Sequence, residues 1–222
     1  MKVVIAGGGS VGQSIARELL RHNHSVLVID ENEAPGDREG FEEAEWFVGD
    51  ACELATLQRA GVEEAEVVVS ATGDDKANLV VSLLAKTEFG VSRTVGRVNN
   101  PKNDWMFDDA WGVDVAVSTP RLMTALVEEA VEIGDVVRLL TLRTGETTMV
   151  AYTVPFDGAA VGRLVGSYSW PQGVVPVAVL REDLPFAPAP DEVFEGGDEV
   201  FFLSTLEGEP LLRELLSRRE GP

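Results

Sequence analysis

A short apolar run, Lys2-Val3-Val4-Ile5-Ala6, passes directly into Gly7-Gly8-Gly9-Ser10-Val11-Gly12. This is Gly-x-Gly-x-x-Gly on positions 7, 9 and 12, and behind it the segment Val11–Arg21 has helical spacing of apolar residues. Strand, glycine turn and helix in that order constrain the chain to a βαβ opening. Gly7 permits the tight turn, Gly9 lets the backbone approach a pyrophosphate, and Gly12 allows close packing of helix on strand. The start of the helix supplies unpaired N–H groups and a partial positive charge to phosphate, and the Ser10 hydroxyl adds a further donor.

The second element of a dinucleotide site is Asp30, which closes the next strand 18 residues beyond Gly12. A carboxylate there accepts hydrogen bonds from the hydroxyls of an adenosine ribose and repels a 2′-phosphate. The neighbouring Glu31 and Glu33 add negative charge. NAD(H) is therefore favoured over NADP(H), and ADP or ATP carry the same ribose and suit the same site. Later strand ends converge on this crevice. Gly49-Asp50-Ala51 follows the third strand and Thr72-Gly73-Asp74-Asp75 the fourth. Asp50 and Thr72 read either as ligand contacts or as caps of their own loops, Gly73 as cleft wall, and Asp74 as a helix N-cap. Arg97, near the end of the fifth strand, reads as a phosphate contact, an interface residue or a surface ion pair.

Apolar runs rich in β-branched residues alternate with helical patterns through residue 118. The strands are expected at Lys2–Ala6, Ser25–Asp30, Glu45–Val48, Ala65–Ala71, Arg93–Val98 and Asp114–Val117, with helices at Val11–Arg21, Leu54–Ala60 and Asp75–Phe89. That rhythm predicts an α/β fold with a six-stranded, doubly wound, Rossmann-like parallel sheet. Pro120–Ile133 reads as one more helix, with Thr119 as N-cap and Gly134 as stop. Beyond it, strands are expected at Val136–Leu142, Thr147–Val154, Val174–Leu180 and Glu199–Leu203. Thr144-Gly145-Glu146 forms a hairpin turn, Pro185, Pro188 and Pro190 mark a loop, and Pro210–Arg218 is a last helix. The expected organisation is a nucleotide-binding domain over residues 1–134 and a smaller α+β C-terminal domain over 135–222.

Composition narrows the function. A net charge of −20 argues against binding DNA, RNA or anionic lipid, each of which calls for a basic footprint. That acidity reads as solubility or as docking to a basic partner surface. The one cysteine, Cys52, allows neither an intrachain disulfide nor a four-cysteine zinc site, and no metal site is expected. No stretch reaches the ~18 apolar residues of a membrane span, so the chain is expected in the cytoplasm, without direct membrane insertion. A dehydrogenase needs an acid–base group beside the nicotinamide. The two histidines, His22 and His24, flank the entry to the second strand, at the far end from the cleft. Cys52 reads as a packing residue or as a stabilised thiolate. No catalytic residue is therefore assigned, and a small NAD-dependent oxidoreductase stands as the alternative to a regulator.

With these residues in view, the chain resembles the bacterial Trk/Ktr-type potassium uptake regulators, built from RCK (regulator of conductance of potassium) N-terminal and C-terminal domains. The resemblance rests on Val3–Gly12 with Asp30, and on Gly49-Asp50-Ala51 followed by Leu57-Gln58-Arg59-Ala60-Gly61. Ala71–Asn78, Gly96-Arg97-Val98, Asn100-Pro101 and Gly112-Val113-Asp114 continue it in order. Val161–Leu164, Val179–Glu182 and Glu195–Val200 extend it, less sharply, into the second half, and Gly73–Val117 is similar to one of the paired actinobacterial Trk regulators. The resemblance implies a non-enzymatic subunit at the inner face of the cell membrane, held there by a potassium-translocating membrane subunit. It implies a homo-oligomeric ring or a pairing with a sister regulator, and NAD(H) or ADP/ATP bound by Gly7, Gly8, Gly9, Ser10, Val11, Gly12, Asp30, Asp50, Ala51, Thr72, Gly73 and Arg97. Some C-terminal domains of such regulators bind cyclic di-AMP or cations, and no residues here match such a site.

Overall fold

Short apolar runs rich in β-branched residues form the strands of a parallel sheet, and at its centre they are buried on both faces. In the computed structural model, which describes residues 1–131, 134–142 and 147–217, these runs are β1 (Lys2–Ala6), β2 (Ser25–Asp30), β3 (Glu45–Val48), β4 (Val67–Ser70), β5 (Arg93–Val98) and β6 (Val115–Ser118). They make one all-parallel sheet of order β3-β2-β1-β4-β5-β6. The strand order reverses between β1 and β4, and ligand crevices open at the carboxyl ends of such a switch point.

Helices α1 (Ser10–Arg21), α2 (Leu54–Arg59) and α3 (Asp75–Thr87) cover the sheet. Ala16, Val11 and Ile15 of α1 pack on Ile5, Val28 and Val69 on one face. Leu57 of α2 with Val81 and Ala85 of α3 pack on Val4, Ile29 and Val68 on the other. The connection between β2 and β3 contains no helix, and buried Phe41 fills the core there. The guanidinium groups of Arg17 and Arg38 lie over its ring at 5.4 and 5.6 Å.

The chain divides into two compact units, Met1–Pro120 and Arg121–Pro222, and the division falls in the first turn of α4 (Thr119–Val131). The expected helix forms, but its stripe of Leu122, Leu126 and Val127 is exposed, as are Met123 and Val131. Periodicity alone marks an apolar face and does not say what covers it.

The second unit is an antiparallel sheet of order β10-β9-β11-β8-β7. Its strands are β7 (Val136–Leu142), β8 (Thr147–Thr153), β9 (Val174–Arg181), β10 (Leu184–Phe186) and β11 (Glu199–Thr205). Leu212 and Leu216 of α5 (Gly208–Ser217) close the core over Val150, Tyr152, Val200 and Phe202. Residues 143–146, the expected hairpin turn, lie outside the described residues, as do Ile133 and Arg218. Pro185 is not in a loop: it sits in β10, opposite Leu180. β10 is the sheet's edge strand, where a residue without an N–H leaves no ladder bond unmade.

Candidate functional site

The glycine loop folds as its spacing requires. Gly7 has φ +105°, a left-handed value that disfavours side chains, and a Cβ on it would lie 2.8 Å from the Thr72 amide nitrogen. A Cβ on Gly12 would run into the Gly7 carbonyl. These two contacts seat α1 against β1 and bring the loop onto the β4–α3 turn. Helix α1 begins after Gly9 with no side-chain cap and no acidic residue in its first turn. The first intrahelical bond runs from Gln13 N to Gly9 O, so the N–H groups of Ser10, Val11 and Gly12 have no helical partner.

Asp30 lies at the same edge. Its Oδ2 accepts from the Gly8 amide at 2.6 Å, and its Oδ1 accepts from the Asn32 amide and Nδ2 at 2.9 and 3.0 Å. Burial pushes its pKa up, but the Asn32 and Gly8 hydrogen bonds outweigh that and hold the carboxyl below its ordinary value. It is therefore ionised at neutral pH, and of about four acceptor sites on a carboxylate three are used. One remains for a ribose hydroxyl. The Gly8 carbonyl is fixed in turn by Gln13 Nε2 at 2.7 Å.

Across the switch point, buried Asn78 joins two strand ends. Its Oδ1 accepts from the Thr72 amide at 2.9 Å and the Thr72 hydroxyl at 2.7 Å, and its Nδ2 donates to Arg97 O at 2.8 Å. Beside it, Asp75 accepts from Asn99 N, Asn100 N and Asn103 Nδ2 at 2.6, 3.0 and 2.7 Å. Burial raises its pKa, but these donors prevail and lower it. Asp30, Gly8, Gly7, Thr72, Asn78 and Arg97 thus form one connected edge. The Thr72 side chain closes its own turn and Asp74 caps α3 through the Lys76 amide at 2.7 Å, which leaves exposed Gly73 as the open part of that wall. Arg97 is half-buried, its Nε is buried without a hydrogen-bond partner, and it makes no ion pair among the described residues. An orphaned cationic donor at the end of β5, unpaired N–H groups at α1 and a spare acceptor on Asp30 fit an adenosine phosphate.

Asp50 caps its own loop through the Cys52 amide at 2.7 Å, and the Ala51 methyl is in the core. Cys52 precedes α2, and burial with the nearby Asp50 pushes its thiol up to about 11. Burial first, and then the neighbouring carboxylates, disfavour a thiolate there. His22 and His24 lie at the amino end of β2, opposite the crevice. No cluster of metal-ligating groups occurs among the described residues.

Nothing in the spacing of the sequence singles out Asn78 as a site residue, nor Asp75 or Gln13. Asn78 and Asp75 carried a signal, since a buried helix face that includes an amide and a carboxylate must satisfy them somewhere. Nor does spacing mark the buried charges of the second unit. Asp198 takes Arg181 Nε and Nη2 at 2.7 and 2.8 Å, and Glu209 binds Arg138 Nε at 2.8 Å.

The TrkA-N domain family model matches residues 3–119 and the TrkA-C domain model residues 149–217. The Trk system potassium uptake protein TrkA of Mycobacterium tuberculosis is 50% identical over 97% of this chain and 98% of its own length. Among solved structures, the GsuK channel matches at TM-score 0.64 and 17% identity, covering all of this chain and 40% of that one. GsuK bound to ADP matches at TM-score 0.53 and 27% identity, covering 59% of this chain and 34% of that one. Two domain matches in order, with half of all residues identical to a relative along its full length, place the sequence: the chain belongs to the TrkA family of Trk-system potassium uptake proteins.

Proposed function

We propose that this chain is a nucleotide-sensing regulatory subunit of a Trk/Ktr-type potassium transport system, not an enzyme. The observation that carries the reading is the carboxyl edge of the parallel sheet. Uncapped N–H groups of α1 stand there beside an ionised Asp30 that has one acceptor site left. The sensing ligand is NAD(H), with ADP or ATP at the same place, and the ADP held by a neighbouring structure is consistent with that class. The ligand contacts are Gly7, Gly8, Gly9, Ser10, Val11, Gly12, Asp30, Asp50, Ala51, Thr72, Gly73 and Arg97, with Ala51 contributing its backbone. Residues 1–134 are the RCK N-terminal domain and 135–222 the RCK C-terminal domain.

The partner is a membrane potassium-translocating subunit, which holds the chain at the inner face of the cell membrane. No described helix is long and apolar enough to cross a membrane itself. Cytosolic loops of membrane proteins are rich in Lys and Arg, and a chain of net charge −20 complements them. The apolar stripe of α4 supports a homo-oligomeric ring or a sister-subunit pairing, since a contiguous exposed apolar patch marks an interaction surface. Gating requires that two nucleotides favour different shapes of the assembly, because a ligand that binds both equally shifts nothing.

Calorimetry of the purified protein with NAD, NADH, ADP and ATP tests the reading. Binding of at least one is expected, and Asp30→Ala should weaken it by about 1–3 kcal/mol through lost charge-assisted hydrogen bonds. Failure of all four to bind would overturn it.

A further inference from the structure

The middle residue of the triple glycine has a cause outside the loop. A side chain at the x position of Gly-x-Gly-x-x-Gly meets no general prohibition, yet the position here is Gly8. A Cβ added to Gly8 would collide with the six-membered ring of Trp46, reaching Cζ2 at 2.6 Å and Cζ3 at 3.2 Å. The indole therefore fills the space that a residue at this position would use. Trp46 comes from β3, in register with Val28 of β2 and, one strand further, Ile5 of β1. All three side chains belong to the core under α1.

The other edge of the same indole is also engaged. Its Nε1 donates to the Asn32 carbonyl at 3.0 Å. Gly8 and Asn32 are the two residues whose N–H groups hold the Asp30 carboxylate, at 2.6 Å from one side and 2.9 and 3.0 Å from the other. One rigid aromatic plate thus touches both arms of the carboxylate's cradle. From this juxtaposition we infer that Trp46 is a positioning residue for the ribose subsite. It sets the spacing between Gly8 and Asn32 and so aims the remaining acceptor site of Asp30 at a ribose hydroxyl. The inference rests on the nucleotide reading above and adds a residue that touches no ligand.

A residue that only supports the fold weakens all ligands alike, whereas one that aims Asp30 changes discrimination at the ribose. The test is therefore the ratio of dissociation constants for 2′-deoxy-ADP and ADP, measured by calorimetry on the full chain, with thermal melting of each variant alongside. Loss of one charge-assisted hydrogen bond corresponds to a ratio of about tenfold or more in the unmodified protein. Trp46→Phe keeps an aromatic ring but removes the N–H and shortens the plate, and it is expected to bring the ratio below about threefold while the protein still melts cooperatively. Gly8→Ala crowds the indole from the opposite side and should reduce the ratio in the same direction, so it serves if Trp46→Phe does not fold. Full retention of the ratio in either folded variant overturns the inference and leaves the nucleotide reading standing. An unmodified protein that binds ADP and 2′-deoxy-ADP equally, or binds neither, also overturns this inference, and only failure of NAD, NADH and ATP to bind as well overturns the nucleotide reading.

Discussion

The two units bury carboxylates in opposite ways. In the N-terminal unit Asp30 and Asp75 are satisfied by amide donors: backbone N–H groups and asparagine side chains. In the C-terminal unit Asp198 and Glu209 are satisfied by guanidinium groups, Arg181 and Arg138. Amide donors fix a carboxylate's position without cancelling its charge, so Asp30 stays an acceptor turned to the crevice. A bidentate arginine cancels the charge and uses up the oxygens, so Asp198, fully buried, fastens β9 to the turn before β11 and has little left for a ligand. The same residue type is a recognition group in one unit and a rivet in the other, and what differs is the donor.

Three substitutions would break or sharpen that contrast. The largest effect is expected from Asp198→Ala: Glu192 and Glu195 still hold the Arg181 guanidinium, but its Nε and the Glu195 amide lose their fully buried acceptor, at a cost of about 3 kcal/mol. Denaturant unfolding should register this as loss of the C-terminal unit, with nucleotide affinity unchanged. If affinity fell as much as stability, the division of labour between the units would be wrong. Asn78→Ala should come next. It leaves the Thr72 amide and the Arg97 carbonyl without their partner and should cost about 2 kcal/mol, together with weaker nucleotide binding because the β4–α3 wall loosens. Unaltered binding in a folded Asn78→Ala protein would separate that wall from the site.

The smallest effect has the opposite sign. Glu182 and Asp183 turn the β9–β10 hairpin with φ of +49° and +64°, a conformation in which glycine or asparagine is at ease. Asp183→Gly should stabilise the C-terminal unit by about 0.5–1 kcal/mol, seen as a shift in midpoint without change in slope. A destabilised variant would mean that the Asp183 side chain supports the turn by a contact of its own.

Much of the candidate site was legible because it is local. Gly7, Gly9 and Gly12 lie within one turn of chain, and Asp30 ends the next strand, so spacing alone carried the chemistry. The parallel strands were legible because the central ones, buried on both faces, are nearly continuous apolar runs and the outer ones are short β-branched or aromatic segments between turn residues, with errors of a residue or two at their ends. The edge strand at Leu184–Phe186 was not, because a proline in a short segment reads as a loop unless its neighbour is known. Nor was the fate of the α4 stripe, since spacing marks an apolar face without naming what meets it.

What the sequence by itself determined was the glycine turn, its acid and the alternation of strands and helices, all properties of residues close along the chain. Only the tertiary structure decided that Asn78 would bridge Thr72 to Arg97, that Trp46 would press against Gly8, and that Asp198 would be closed by Arg181 while Asp30 stayed open. The physical reason is that periodicity and conformational preference act between chain neighbours. A hydrogen-bond partner or a packing neighbour is chosen by position in space, after strands far apart in sequence have been laid side by side.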